Sequence, residues 1–277
     1  VLECVVNISE GRDLSWLEGL SSDLASLADL HHDVAHHRSV LTLLGHADAL
    51  IDDVVALGRV ALGRVDLREH QGVHPRLGAL DVVPFVPIGS SSIDDAVGAR
   101  DRCAARLAEE LALPIFLYGP LGGSSRSLPE LRRTAFRGLE PDLGPRQEDP
   151  RHGAVAVGAR ETLVAWNLWL DGVAPGEAQA IAAAIRTPEV RALGMDLGAS
   201  CQVSCNLIAA TRSTPAMVAD QVAARLGPGG RIIRAELVGL SPAAVLDLTP
   251  RSRWEELDLS EEQTIEAACG RLGLELV

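Results

Sequence analysis

No lysine occurs in the chain; its 25 basic residues are all arginine. Schiff-base chemistry and a phosphate-loop lysine are excluded together. Aromatic residues make up only 3%, so the core has to be built from Leu, Val, Ile and Ala. No run of 18 apolar residues is present, and nothing is expected to span a membrane. The opening VLECVVNISEG has no basic segment leading into an apolar stretch, so no secretory leader is expected. Five scattered cysteines, an odd number, do not suit a disulfide framework and fit a reducing, cytoplasmic compartment. The formal net charge of -13 argues against nucleic-acid binding, which needs a positive surface. A local cluster of arginines can still bind a small anion within such a protein.

What is present reads as alternating strands and helices. Residues 2–8 form a continuous apolar, β-branched run, as a buried strand does. Leucines at helical spacing predict a helix over 14–30, and a strand follows at 38–44. A helix is expected at 47–63, and a strand at 79–88 whose prolines place its later part at a sheet edge. A long helix at 93–112 and a short strand at 113–119 complete this half. Residues 119–153 are rich in Pro, Gly and Arg, with one helix near 128–137; an irregular stretch of this length is usually functional or disordered. Two strands with a turn near 159–161 come next, then a helix at 175–186, a strand at 201–211, a helix at 214–226, a strand from 231 and a last helix at 260–272. This pattern predicts an α/β (α+β) chain of two layered subdomains, ferredoxin-like, with mixed sheets and helices on one face. The boundary falls near residue 162, giving 1–162 and 163–277.

Candidate chemistry concentrates in two places. HQGVHPRLGALDVVPF, residues 70–85, sets His74 in a Gly/Pro-rich loop feeding a strand, with Arg76 and Asp81 nearby. Pro75 restricts His74 to extended geometry. An imidazole titrates near neutrality and suits proton transfer at an amine; a loop histidine capping a carbonyl is the plainer alternative. HHDVAHHRS, residues 31–39, holds four histidines and an aspartate. Its spacing matches no established metal motif, and a polar loop before a strand is favoured over a metal site. Cys201 and Cys205 share a face of a strand and read as packing residues. The glycine-rich stretches at 119–125 and 227–230 read as turns. Neither GxSxG nor HExxH is present, so serine-hydrolase and zincin readings lose their main support.

Several of these segments resemble those of one family. ECVVNISEG is similar to the ECVPNFSEG opening of formiminotransferases, and HHRSVLTLLG, GVHPRLGALDVVPFVPI, RLAEELALPIFLYG, PDLGP with GAVAVGAR, LVAWNLWL, QVSCNL and ELVGLSP follow in family order. Together they cover almost the whole chain. The resemblance implies two α/β subdomains forming a formiminotransferase domain, with folate bound between them. It implies glutamate formimidoyltransferase activity, the transfer of a formimino group from N-formimino-L-glutamate to N5 of tetrahydrofolate. Tetrahydrofolate is then a co-substrate, no metal is expected, and the enzyme is a cytoplasmic homodimer without nucleic-acid or membrane partners. The domain is expected to stand alone, apart from the cyclodeaminase fused to it in animals.

The family's catalytic histidine lies in its HPR motif, which implies His74. Its folate-contacting segment implies Gly144, Pro145, Arg146, Gln147, Glu148, Asp149, Pro150, Arg151, His152 and Gly153. Given a substrate with two carboxylates, Arg38 and Arg76 are candidates to clamp them. Asn7 could bind an amide or the pterin edge, and Asp81 could orient His74; surface or turn solvation is the alternative for all four. Gln71 and Val73 stand where vertebrate members carry Lys and Glu, which leaves open a related formyl transferase or a folate-binding protein without turnover. A metal-dependent hydrolase using the histidines at 31–37 ranks third.

Overall fold

The computed structural model describes residues 1–276, Ser21 and Ser22 by backbone alone. The chain divides into two compact units, Val1–Glu161 and Thr162–Arg271, the residues from Leu272 counting with the first.

The first unit begins with β1 (Leu2–Ile8), α1 (Leu14–Asp23), β2 (Leu27–Asp33), β3 (Arg38–Gly45), α2 (Ala47–Arg64) and β4 (Leu80–Pro87). These strands lie side by side in the order β2-β3-β1-β4, with β1 antiparallel to both neighbours. This is a ferredoxin-like β-α-β-β-α-β arrangement. The chain continues through α3 (Ile93–Leu111), β5 (Ile115–Leu121), β6 (Ser124–Arg126), α4 (Leu128–Thr134) and β7 (Val155–Ala159). β7 and β5 add parallel to β4, giving a mixed seven-stranded sheet. Alternation along the strands sends Leu2, Cys4, Val6 and Ile8 of β1, with Leu41 and Leu43 of β3, into one core with α1, α2 and α3. α3 is begun by a reciprocal Ser92–Asp95 capping box and stopped by Ala112 in the left-handed conformation. On the opposite face α4 covers Val82, Phe116, Tyr118 and Ala156.

The second unit repeats the frame. β8 (Val164–Asp171), α5 (Pro175–Ala184), β9 (Val190–Asp196), β10 (Cys201–Leu207), α6 (Pro215–Ala223) and β11 (Arg231–Val238) form an antiparallel sheet in the order β11-β8-β10-β9. Two short helices follow, α7 (Ala243–Asp247) and α8 (Ile265–Arg271). Val164, Trp166, Leu168 and Leu170 face the helices, as do Cys201 and Cys205.

Four expectations are corrected. The helix begun at Leu14 ends at Asp23, because Leu24 turns extended and residues 27–33 pair with β3. Leucine spacing ran on past Asp23, but cross-strand pairing outweighs it. β4 is central, between β1 and β7; its ladder with β1 skips from Cys4–Phe85 to Asn7–Val82, so Pro84, which has no N–H to donate, falls at the interruption. β9 was unforeseen: its Arg191 and Gly194 are poor strand formers, yet a Cβ at Gly194 would lie 2.4 Å from the Gln179 backbone nitrogen, so close approach of α5 requires the glycine. The last helix shortens to α8 behind a 3-10 turn at Glu261–Gln263.

Candidate active site

The register of the first sheet determines the site. Asn7 near the end of β1 pairs with Val40 on β3 and Val82 on β4. Arg38 at the start of β3 and Asp81 at the start of β4 therefore come to the same end of the sheet. The connection from α2 to β4 crosses this end and carries residues 70–77. Its return is held tightly: Asp81 accepts a 2.5 Å hydrogen bond from the Leu77 N–H, and Ala79 N–H donates to His152.

Arg38 is the hub. Its Nε donates to Asn7 Oδ1 at 2.9 Å, and Nη2 donates to the same oxygen. Nη1 lies 2.7 Å from His74 Nδ1, 3.3 Å from His74 Nε2 and 3.3 Å from Asp81 Oδ2. Arg132, delivered by α4, donates to Asp81 Oδ2 at 2.7 Å and to the Pro75 carbonyl at 3.0 Å. Asp81 is 1% exposed. Burial alone would raise its carboxyl, but the Arg132 and Arg38 charges outweigh it and hold Asp81 below the usual range. Burial draws Arg38 down to about 10, so it remains a cation at neutral pH. His74 is half-buried; desolvation first, and the Arg38 charge second, draw it down to about 3. Its imidazole is neutral at pH 7 and offers a lone pair.

A second chain of contacts braces the loop. Glu10 Oε1 accepts from the N–H groups of Gly11, Arg12 and Asp13 at 2.9, 2.8 and 3.1 Å, and lies 3.2 Å from His37 Nε2. Burial pushes Glu10 up, but these partners more than offset it and keep it below the usual range. His37, at φ 51°, stacks on His70 with ring centroids 4.0 Å apart. The guanidinium of Arg76 meets His70 Nδ1 and donates to the Gly72 and His74 carbonyls at 2.7 and 2.8 Å. Burial, then the Arg76 charge, lowers His70 to about 4. Arg76 thus spends its donors inside the loop, whereas Arg38 reaches the imidazole itself.

The 144–153 stretch belongs to the same unit. Residues 144–148 are exposed, and Arg146 pairs with Glu140 at 2.9 Å. The end of the stretch is ordered by Asp149, which takes hydrogen bonds from Arg151 N–H at 2.8 Å and His152 Nδ1 at 2.8 Å. Gly153 (φ +70°) and Gly78 abut here: a Cβ on either would lie 2.1 Å from a backbone oxygen of the opposing segment, Leu77 or Ala154. The histidine loop and the end of this stretch are consequently stitched together.

The N-terminal subdomain model of the formiminotransferase domain matches residues 1–160. The chain is 33% identical over 272 residues to a glutamate formimidoyltransferase of Streptococcus pyogenes, spanning 89% of this chain and 90% of that protein. It is 31% identical over 275 residues to the Thermoplasma acidophilum glutamate formimidoyltransferase, 89% of each chain. A formimidoyltransferase-cyclodeaminase of Dictyostelium discoideum is 34% identical over 184 residues, 61% of this chain but only 34% of that longer protein. The chain belongs to the formiminotransferase family. Among the described residues of this family member, no group of three or more His, Cys, Asp or Glu is placed to hold a metal ion, and no helix is long and apolar enough to cross a membrane.

Sequence reasoning named Asn7, Arg38, His74 and Asp81, and they meet. It missed Arg132, Glu10, His37 and His70 as partners. Arg132 gave no signal, because it lies in a short helix of the irregular stretch. Glu10 could have been found: an acidic residue before Gly11 at a strand end is placed to accept from the turn it starts.

Proposed function

We propose that the protein is a glutamate formimidoyltransferase, transferring a formimino group from N-formimino-L-glutamate to N5 of tetrahydrofolate. The observation that carries this reading is the His74 imidazole lying 2.7 Å from the half-buried Arg38 guanidinium at a sheet end. A neutral histidine starts the reaction as a base, and a cation beside it suits an acidic substrate. N5 attacks the formimino carbon; His74 takes the proton that N5 loses. The tetrahedral intermediate then breaks its bond to the glutamate nitrogen, and His74 returns the proton to that leaving nitrogen. Arg38 is assigned to a substrate carboxylate, and Asn7 and Asp81 hold Arg38 in place. Arg76 shapes the loop and meets substrate only at its margin. Residues 144–153 are assigned to folate, with their ordered end beside the histidine loop as support. The two units correspond in this reading to subdomains 1–162 and 163–277. A cytoplasmic homodimer completes it; an odd number of cysteines, all buried, favours a reducing compartment.

The deciding experiment follows glutamate release from N-formiminoglutamate with tetrahydrofolate, with N-formylglutamate as the competing donor. His74→Ala is expected to lose about 10²-fold or more in turnover with an unchanged circular dichroism spectrum. Near-normal turnover removes His74 from the chemistry, and preference for the formyl donor replaces the substrate assignment.

A further inference from the structure

His74 Nδ1 has two contacts that cannot both be hydrogen bonds to one tautomer. It lies 2.7 Å from Arg38 Nη1, which can only donate, and 2.6 Å from the Pro75 carbonyl, which can only accept. With its proton on Nε2, the ring accepts from Arg38 and repels Pro75. With its proton on Nδ1, the ring bonds Pro75 and repels Arg38, and Nε2, 3.3 Å from Arg38 Nη1, becomes a free base only once that guanidinium moves away. The surroundings allow either arrangement. Asp81 is shared by Arg38 at 3.3 Å and Arg132 at 2.7 Å, so it keeps a counter-charge if Arg38 moves away. The Pro75 carbonyl already takes Arg132 Nη1 at 3.0 Å and has a second lone pair for the ring. Among the described residues His36 also faces the ring, edge-on to His74 at 5.8 Å; the charge of Arg76, which bonds the His74 carbonyl, also acts on Arg38, while buried Tyr118 stays an uncharged phenol.

We propose that Arg38 is a substrate-responsive switch on His74. While no carboxylate is bound, Arg38 holds the ring with Nδ1 as acceptor. A substrate carboxylate draws the guanidinium off, one proton leaves Nε2 for solvent and one arrives at Nδ1, and Nε2 is released as the base facing the reaction. The net charge of the ring does not change. Arg132 is the positioning residue that makes this exchange possible, because it retains Asp81 and Pro75. The inference rests on the formimidoyl-transfer reading and adds to it a reason why the base is armed only with substrate present. An idle enzyme would then keep its imidazole occupied.

The test is nitrogen-15 spectroscopy of histidine-labelled protein, with His74 assigned by the signals lost in His74→Ala. L-glutamate, which carries the carboxylates of the donor, is titrated in. In the free protein His74 should show an acceptor-type Nδ1 and a protonated Nε2. Saturating glutamate should invert the two and raise the His74 titration midpoint by about 1 pH unit or more, the scale of losing a neighbouring like charge. Arg38→Gln should show the inverted pattern without ligand and should not respond to glutamate; the His37 and His70 signals report that its loop is intact. Arg132→Gln, which leaves Asp81 to Arg38 alone, should need several-fold more glutamate for the same inversion. The wild-type titration is decisive by itself and requires no variant to fold. If glutamate shifts other signals while His74 keeps one pattern, the switch is overturned and the transfer reading stands. If saturating glutamate shifts no signal at all, the substrate assignment falls and the switch with it.

Discussion

The two β-α-β-β-α-β runs share a frame and differ in what the last connection carries. In the first unit the segment from α2 to β4 covers residues 65–79, long enough to hold the histidine loop; in the second, the segment from α6 to β11 covers only 224–230 and is a glycine-rich turn. Each first strand turns an asparagine away from the helix-packed face, Asn7 on β1 and Asn167 on β8. Asn7 accepts from Arg38; Asn167 donates to Glu236 at 3.1 Å, beside Trp169 Nε1 at 3.2 Å and the Arg234 guanidinium. All eight histidines lie at or before residue 152, so the second unit has no side chain that titrates near neutrality in its ordinary state. Its cysteines Cys201 and Cys205 are pushed up by burial. One frame therefore supports two surfaces: the histidine loop, the proposed proton-transfer site, where the connection is long, and a hydrogen-bonding face where it is short. In the proposed reading function lies on the loop and stability in the repeated frame.

The two carboxylate–arginine clusters make the comparison breakable. Asp81→Asn should have the largest effect. It removes the charge that compensates Arg38 and Arg132, whose side chains are only 17% and 18% exposed. The expected loss is about 3 kcal/mol, the low end for breaking a buried pair, together with most of the transfer activity. Denaturant unfolding and the glutamate-release assay check both parts. Glu236→Gln should cost less, about 1 kcal/mol, because Arg234 is 57% exposed and can turn to water while the amide oxygen still accepts from Asn167 or Trp169. Equal losses in the two variants would erase the proposed distinction between a charged site and a hydrogen-bonding face.

Much of the frame was legible because burial and periodicity agree there. β1 is apolar along nearly its whole length, α2 and α3 carry clear stripes, and each lies within a residue or so of its expected bounds. Three of the four misses share one cause: pairing with a distant strand overrides local preference. Residues 27–33 continue a helical leucine pattern and still become β2, and residues 190–196 become β9 despite an arginine and a glycine. Pro84 misled for a related reason, since only the partner strand reveals that the ladder is interrupted beside it. In the site, His74 was legible from Pro75 and the motif around it. Arg132 was not, because its place beside Asp81 depends on how α4 packs over Phe116 and Tyr118, a contact that no local spacing encodes.

The smallest of the three effects concerns acid. His70 is lowered to about 4 by burial and by the Arg76 charge, against an ordinary value near 6.5. The sign follows from proton binding: between these values the unfolded chain holds a proton on this residue that the folded chain refuses. Its contribution is therefore complete above pH ~6.5 and is lost as pH falls toward about 4. The second unit has no histidine and no corresponding loss. Hydrogen exchange followed between pH 7 and pH 4 should show protection falling faster over residues around 66–79 than over the β8–β10 ladder. His70→Asn should reduce that difference even though it lowers protection at every pH, because it removes one of the two titrating imidazoles of the loop, His74 being the other, as well as the contact with Arg76. The slope, not the absolute protection, is the measurement. An unchanged slope in His70→Asn would mean that His74, itself drawn down to about 3, and the carboxylates set the acid limb, and that the histidine stack braces the loop without making it sensitive to pH.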